Sequence, residues 1–353
     1  MADIHLDQIG HSYGTAAYAL EKTDLRFANG KTYALLGPSG CGKTTMLNII
    51  SGLLTPSDGR VLLGGVDVTR TKTAERNIAQ VFQFPVVYQS KTVFENLAFP
   101  LHCRGWDKPR IARRVGEIAE LLGLSSRLDQ SARRLTADEK QLISLGRGLV
   151  RNDVAALLMD EPLTVIDPHK KFDLRRRIKL ANDQTRHTVI YVTHDQNEAM
   201  TFADEILVMN AGRVVQRGTP QELFEKPRDL YVGNFIGSPG MNFVRAERGD
   251  RDLRLGGVPI LGGRRCEEIP QHGDVTLGIR PEHLEFAHPG EPGIPASIVS
   301  VEDHGRLRVV DVAVGSNRLR MKVGRDVAMP SGDVGLRAAE DRIRLYVGGV
   351  LVS

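Results

Sequence analysis

Apolar residues in the first two thirds of the chain follow two rhythms. KTYALLG (31–37), VAALLMD (154–160) and TVIYVTH (188–194) are short, nearly continuous apolar runs, the pattern of parallel strands covered on both faces. Between them the spacing turns helical. TTMLNIISGLL sets Met46, Leu47, Ile50 and Leu53 on one face. VFENLAFPL, IARRVGEIAELLGL and EKQLISLGRGLV carry helical spacing from about 92 to 150, and a further helix is expected at about 168–184. RVLLGGVDVT (60–69) reads as a hairpin turning at Gly64-Gly65. Strands alternating with helices predict an α/β core with a helical insertion.

The rhythm changes near residue 235. NFIGSPGMNF, with Gly237, Pro239 and Gly240, reads as a linker. Beyond it VTLGIRP, ASIVSVEDHG, LRVVDVAVG and RIRLYVGGVLV are separated by Gly and Pro, the spacing of a small all-β barrel. Two domains are therefore expected, 1–235 and 236–353, with a helical subdomain at about 85–150 in the first.

Composition narrows the class. The 353 residues are 41% hydrophobic and 25% charged, with a formal net charge of +4 spread over both signs. This is a globular composition with no charged tail or aromatic-basic stripe for nucleic acid. The N-terminus, MADIHLDQIGHSYG, lacks an apolar run, and no stretch approaches the ~18 apolar residues that span a bilayer. Cys41, Cys103 and Cys266 are far apart and odd in number, which gives neither a disulfide framework nor metal-ligand spacing. A soluble cytoplasmic protein is expected, reaching any membrane through a partner.

Two motifs carry chemistry. GPSGCGKTT (37–45) follows a strand and opens a helix. Its residues Gly37, Ser39, Gly40, Cys41, Gly42, Lys43, Thr44 and Thr45 form a loop whose backbone N–H groups can surround phosphate oxygens. Lys43 is placed for the β- and γ-phosphates and the Thr44 hydroxyl for Mg²⁺. VAALLMDE then ends a strand in two carboxylates: Asp160, suited to hold Mg²⁺ through water, and Glu161, suited to orient or deprotonate an attacking water.

These motifs, with four others in the same order, resemble the nucleotide-binding subunits of ABC transporters over essentially the whole chain. VFQ puts Gln83 on that family's glutamine for Mg²⁺ and the attacking water. LTVID (163–167) matches the loop after the catalytic glutamate, YVTHD puts His194 on the switch histidine, and Tyr13 matches the aromatic that stacks on adenine. The resemblance implies a P-loop ATPase core using ATP and Mg²⁺, with an antiparallel β-subdomain near the N-terminus. LYVGN, GSPGMNF and VTLGIRPEHLEF (275–286) are similar to the linker and OB-like regulatory barrel of importers for sugars, polyols and glycerol phosphate. The implied partners are a second ATPase subunit, two transmembrane permease subunits and an extracytoplasmic solute-binding protein, with the chain peripheral at the cytoplasmic face of the inner membrane.

One motif departs from the family. Where the family has LSGGQ, this chain has Leu135, Thr136, Ala137, Asp138 and Glu139. In the family this segment completes the ATP site of the opposite subunit. Thr136 still offers a hydroxyl, but Ala137 and Asp138 replace both glycines, and Thr136-x-x-Glu139 reads as a capping box that satisfies the helix N-terminus internally. At ~4 Å and an effective dielectric of ~20, a carboxylate and one phosphate charge repel by about 4 kcal/mol, against a helix-dipole attraction of about 0.3–1 kcal/mol. A degenerate signature beside a complete nucleotide set implies a heterodimer with a second, intact ATPase. The modified signature resembles one of the two ATPases of glycerol importers. Other readings are a homodimeric sugar or glycerol-phosphate importer ATPase, a regulatory subunit that binds ATP with little hydrolysis, and a non-transport ABC protein. Glu161 and His194 argue against the regulatory reading, and the β-barrel against the non-transport one.

Overall fold

The computed structural model describes residues 3–14, 17–262, 274–288, 291–330 and 332–352. Cys266, counted in the disulfide argument, lies outside the described residues. The chain forms two compact units, Met1–Pro220 and Gln221–Ser353.

The first unit contains two sheets. β1 (Ile4–His11), β2 (Leu20–Phe27), β4 (Asp58–Leu63) and β5 (Val66–Asp67) make an antiparallel sheet in the order β2-β1-β4-β5. The β4–β5 hairpin turns at Gly64 and Gly65, both at positive φ, where glycine carries no Cβ penalty. The second sheet is built from β3 (Thr32–Leu36), β6 (Ile78–Val81), β7 (Ala156–Asp160), β8 (Val189–Thr193), β9 (Glu205–Asn210) and β10 (Arg213–Gly218), in the order β10-β9-β3-β8-β7-β6. All its pairings are parallel except β9–β10. Every residue of β3, β7 and β8 is buried, as the continuous apolar runs require.

Among the described residues six α-helices accompany these strands: α1 (Lys43–Ser51), α2 (Val93–His102), α3 (Lys108–Leu122), α4 (Ala137–Leu149), α5 (Pro168–Thr185) and α6 (Gln196–Phe202). α2, α3 and α4 lie in the stretch expected to be helical. Val93, Leu97 and Leu101 of α2, Ile111, Val115 and Ile118 of α3, and Ile143 and Leu145 of α4 share one core with β6 and β7. The ends are set by local chemistry: Thr92 and Glu95 form a capping box on α2, Asp107 caps α3, and Gly123 closes α3 in the left-handed conformation. Among the described residues no helix is long and apolar enough to cross a membrane.

The parallel pairing determines where chemistry gathers. Leu36 is level with Thr193, Val192 with Asp160, and Met159 with Val81. The carboxyl ends of β3, β8, β7 and β6 therefore share one edge of the sheet, the place where open α/β sheets bind ligands.

Among the described residues the second unit, from Gln221, carries two short α-helices at Pro220–Glu225 and Leu230–Phe235 and is otherwise built mainly of strands. It has three antiparallel sheets, built on Asn242–Arg245 with Val275–Ile279 and Ile343–Val347, on Asp252–Leu255 with Val258–Gly262, and on the meander Ile294–Asp303, Leu307–Val314, Asn317–Gly324. Leu253, Leu277, Val310, Met321, Leu336 and Leu345 meet in their shared core. Arg280 fastens the start of this unit. It is 1% exposed; its guanidinium donates to the carbonyls of Phe224 at 2.7 and 3.0 Å, Gly233 at 3.1 Å, and Ile236. Its planar fork lies 4.2 Å from the Phe224 ring centre. Burial pushes its pKa down to about 10, so the charge persists at neutral pH and strengthens these bonds. Arg280→Met would strand the carbonyls, and we expect a loss of about 3 kcal/mol from this unit. The urea midpoint followed by circular dichroism reads it directly.

Candidate nucleotide site

The loop between β3 and α1 is shaped by glycines at two positions. A Cβ on Gly37 would lie 2.3 Å from the Met209 carbonyl oxygen, and one on Gly42 would lie 2.5 Å from that of Ala19. Gly42 also sits at φ 97°, and α1 begins there with no side-chain cap. The first N–H groups of α1 are thus left to an anion. Lys43 is 5% exposed, and its Nζ donates to the carbonyls of Gly37 and Pro38, both at 2.8 Å. Cys41 is 3% exposed with its sulfur 3.8 Å from Lys43 Nζ; it fills the loop's interior. Ser39, Gly40, Gly42, Lys43, Thr44 and Thr45 line one cleft of about 600 Å³ together with Tyr13, Ala19, Gln83, Glu161, Thr164 and His194.

The neighbouring strand ends supply the remaining groups. Asp160 ends β7, 8% exposed, and accepts from the Thr44 hydroxyl at 3.3 Å. Burial raises its pKa above the ordinary carboxylate range; the Thr44 hydrogen bond opposes the shift, the adjacent Glu161 charge adds to it, and Lys43 lowers it. Glu161 follows at φ 44°, an uncommon conformation for a glutamate, held by its N–H donating to the Val192 carbonyl at 3.0 Å. One of its oxygens, Oε2, gathers three partners, each at 3.2 Å: Gln83 Nε2, the Thr164 hydroxyl and His194 Nδ1. Tyr13 stands at the cleft with its hydroxyl 3.1 Å from Thr45 Oγ1.

Several side chains that hold this arrangement were not singled out from the sequence. Gln141 of α4 is fully buried and donates from Nε2 to the carbonyls of Phe82 and Pro162, both at 3.0 Å. It ties the segments that carry Gln83 and Glu161 to one helix. A glutamine on the apolar side of a helix was the available signal, since buried amides must find partners. Glu198 accepts from the hydroxyls of Tyr191 at 2.9 Å and Thr193 at 2.8 Å, and Thr193 Oγ1 in turn accepts from the N–H of Asp195 at 3.0 Å. The bend that presents His194 is thereby fixed on both sides. Gln141→Leu would leave two carbonyls unpaired. ATP turnover is expected to fall about tenfold or more while the melting temperature drops by a few degrees, checked by steady-state ATPase assay beside thermal denaturation.

The segment 135–139 lies elsewhere on the unit. Thr136 caps α4, its Oγ1 accepting from Glu139 N–H at 3.4 Å while Glu139 Oε2 accepts from Thr136 N–H at 3.0 Å. The predicted capping box is present. The Thr136 hydroxyl, expected to remain available to a ligand, is instead engaged by Asp138 and, at 3.2 Å, by Glu139 Oε2. The bond from the Thr136 hydroxyl to Asp138, with smaller help from Lys170, holds the Asp138 carboxyl below its usual range, so it is ionised at neutral pH. Lys170 Nζ lies 3.6 Å from Asp138 and Arg127 lies 3.4 Å from Glu139. The Thr136 hydroxyl thus caps the Glu139 N–H of α4, and this chain's own carboxylates in turn engage that hydroxyl.

A glycine-rich loop, a strand ending at Asp160 with Glu161 after it, and a histidine after the next strand thus meet at one edge of an α/β sheet, a candidate nucleotide site. The chain matches the ABC transporter family over residues 20–164 and the MalK OB fold domain over residues 237–284. It is 39% identical over 343 residues to an sn-glycerol-3-phosphate import ATP-binding protein of Cereibacter sphaeroides, covering 93% of this chain and 96% of that one. It is also 39% identical over 291 residues to a trehalose import ATP-binding protein of Mycobacterium tuberculosis, covering 81% and 74%. Among solved structures, a dimeric ATP-binding cassette in a post-hydrolysis state with ADP and Pi superposes with a TM-score of 0.56 at 26% identity, covering 62% of this chain and 98% of that chain. This chain belongs to the ATP-binding proteins of the ABC transporter family, ATPases coupled to transport across a membrane.

Proposed function

We propose that this chain is the hydrolysing half of an asymmetric ATPase pair that drives import of glycerol or a related polyol, glycerol phosphate or sugar. The observation that carries the reading is a contrast within one chain. Lys43, Thr44, Gln83, Glu161 and His194 line one cleft, while the Thr136 hydroxyl is engaged by Asp138 and Glu139 of its own segment. The second ATPase would bring an intact signature to this chain's cleft. The names of the relatives quoted above, one for glycerol phosphate and one for trehalose, support a polyhydroxylated solute.

In this reading the α1 N-terminus and Lys43 bind the β- and γ-phosphates, and Tyr13 stacks on the adenine. The Thr44 hydroxyl, the Asp160 carboxylate and the Gln83 amide oxygen are hard oxygen donors of the kind Mg²⁺ prefers. They would hold the ion, which neutralises charge on the phosphates. Glu161 takes a proton from the attacking water, and His194 and Gln83 steer its carboxylate through their contacts to Oε2. Gln141 carries movement of these loops into α4. Phe84 and Val86, exposed beside Gln83, and the small cleft lined by Phe82, Pro100, Ser144 and Arg147 would receive a cytoplasmic helix of the two permease subunits. The chain would then sit peripherally on the cytoplasmic face of the membrane, with an extracytoplasmic protein delivering solute.

Copurification of the tagged chain from its native membrane, followed by mass spectrometry and ATPase assay with candidate solutes, tests this. Recovery of two permeases and a different ATPase with an intact signature is expected. Recovery of this chain alone in two copies, with solute-stimulated turnover, would overturn the asymmetric pair.

A further inference from the structure

β1 ends on His11, two residues before Tyr13. The imidazole is 7% exposed, and its Nδ1 lies 3.3 Å from Ser57 Oγ. Ser57 is itself tied to the same strand end, its N–H donating to the Gly10 carbonyl at 3.0 Å and its Oγ accepting from Ser12 N–H at 3.2 Å. The other ring nitrogen, Nε2, is buried with no hydrogen-bond partner among the described residues. The His11 ring meets the Tyr13 ring edge to face, centroids 4.6 Å apart and planes at 83°, the geometry aromatic pairs prefer. Tyr13 is 60% exposed, so a mobile ring would be expected there. Instead it is held at two points, the hydroxyl by Thr45 of α1 and the ring by His11.

A buried nitrogen without a partner costs about 1–3 kcal/mol, so His11 is a poor choice for merely filling the space. Its Ser57 contact fixes the rotation of the imidazole, and the edge-to-face contact passes that orientation to Tyr13. We propose that His11 is a positioning residue for the nucleobase, holding Tyr13 in the orientation that stacks on adenine before nucleotide arrives. Pre-ordering an aromatic removes the entropy that binding would otherwise spend. The inference rests on the reading of Tyr13 as the adenine platform. Phosphate recognition by the loop at 37–45 is independent of it.

The test is isothermal titration of the full chain with ATP and with tripolyphosphate, Mg²⁺ being omitted to block turnover. Because only ATP carries a base, a positioning role weakens ATP alone. His11→Ala and His11→Gln, which remove the ring, are expected to weaken ATP about three- to tenfold and leave tripolyphosphate unchanged. His11→Phe keeps an aromatic edge against Tyr13 and is expected to recover most of the affinity. Equal losses for both ligands would mean that His11 only supports the fold, and unchanged ATP affinity in both ring-free variants would remove the role altogether. Tyr13→Ala separates the two claims. If it leaves the difference between ATP and tripolyphosphate intact, the platform reading fails and His11's role with it. If it abolishes that difference while His11→Ala does not alter it, the platform stands and the inference about His11 alone fails.

Discussion

Glu161→Gln is expected to leave ATP affinity within about twofold and to lower turnover by about 10²–10⁴, the range carried by a general base. The substitution is nearly isosteric, and its amide oxygen can still accept from Gln83 Nε2 and the Thr164 hydroxyl, both 3.2 Å from Glu161 Oε2. What disappears is the capacity to take a proton. Equilibrium binding beside single-turnover hydrolysis separates the two effects, and hydrolysis near the wild-type rate would assign the base elsewhere.

Rebuilding the signature is expected to produce the second large effect, this time a gain. Thr136→Ser, Ala137→Gly, Asp138→Gly and Glu139→Gln together remove both carboxylates that engage the Thr136 hydroxyl and the side chains standing where a backbone would approach phosphate. A single carboxylate facing one phosphate charge at ~4 Å is unfavourable by about 4 kcal/mol at an effective dielectric of ~20. Lys170, 3.6 Å from Asp138, offsets part of this, and its amine is well exposed and screened. Dimerisation of the four-fold variant in ATP, on a Glu161→Gln background that prevents turnover, is expected to tighten about tenfold or more over the same background with Thr136–Glu139 intact. Analytical ultracentrifugation measures it. An unchanged dimerisation constant would mean that 136–139 does not limit pairing.

The candidate acidic pair was visible as the end of an apolar run, whereas His194 and Gln83 were placed by the resemblance to the family. Asp160 and Glu161 close VAALLMDE, and His194 closes TVIYVTH; parallel pairing in register then brings them level. The capping box at Thr136 was legible because its spacing is local. Gln141 was not, because its partners, Phe82 and Pro162, are distant in sequence and meet only when α4 packs beside β6 and β7. The engagement of the Thr136 hydroxyl by Asp138 was missed for a subtler cause: two acceptors adjacent in sequence compete for one proton, and only the side-chain rotamers decide between them. In the second unit four apolar runs announced strands, whereas Asp252–Leu255, Asn317–Gly324 and Asp333–Ala338 were not singled out. The stretch read as a linker overlaps the end of Leu230–Phe235 and the start of Asn242–Arg245. The anchoring of Arg280 on backbone carbonyls has no pattern, because carbonyls are present at every residue.

The most direct test of the asymmetric reading is ATP turnover by the purified wild-type chain alone, measured over a wide range of protein concentration. Binding of ATP with slow turnover that does not rise with concentration is predicted, rising only when the second ATPase is added. Turnover that climbs steeply with concentration to a transporter-level rate would contradict it, for then Leu135–Glu139 would be a working signature.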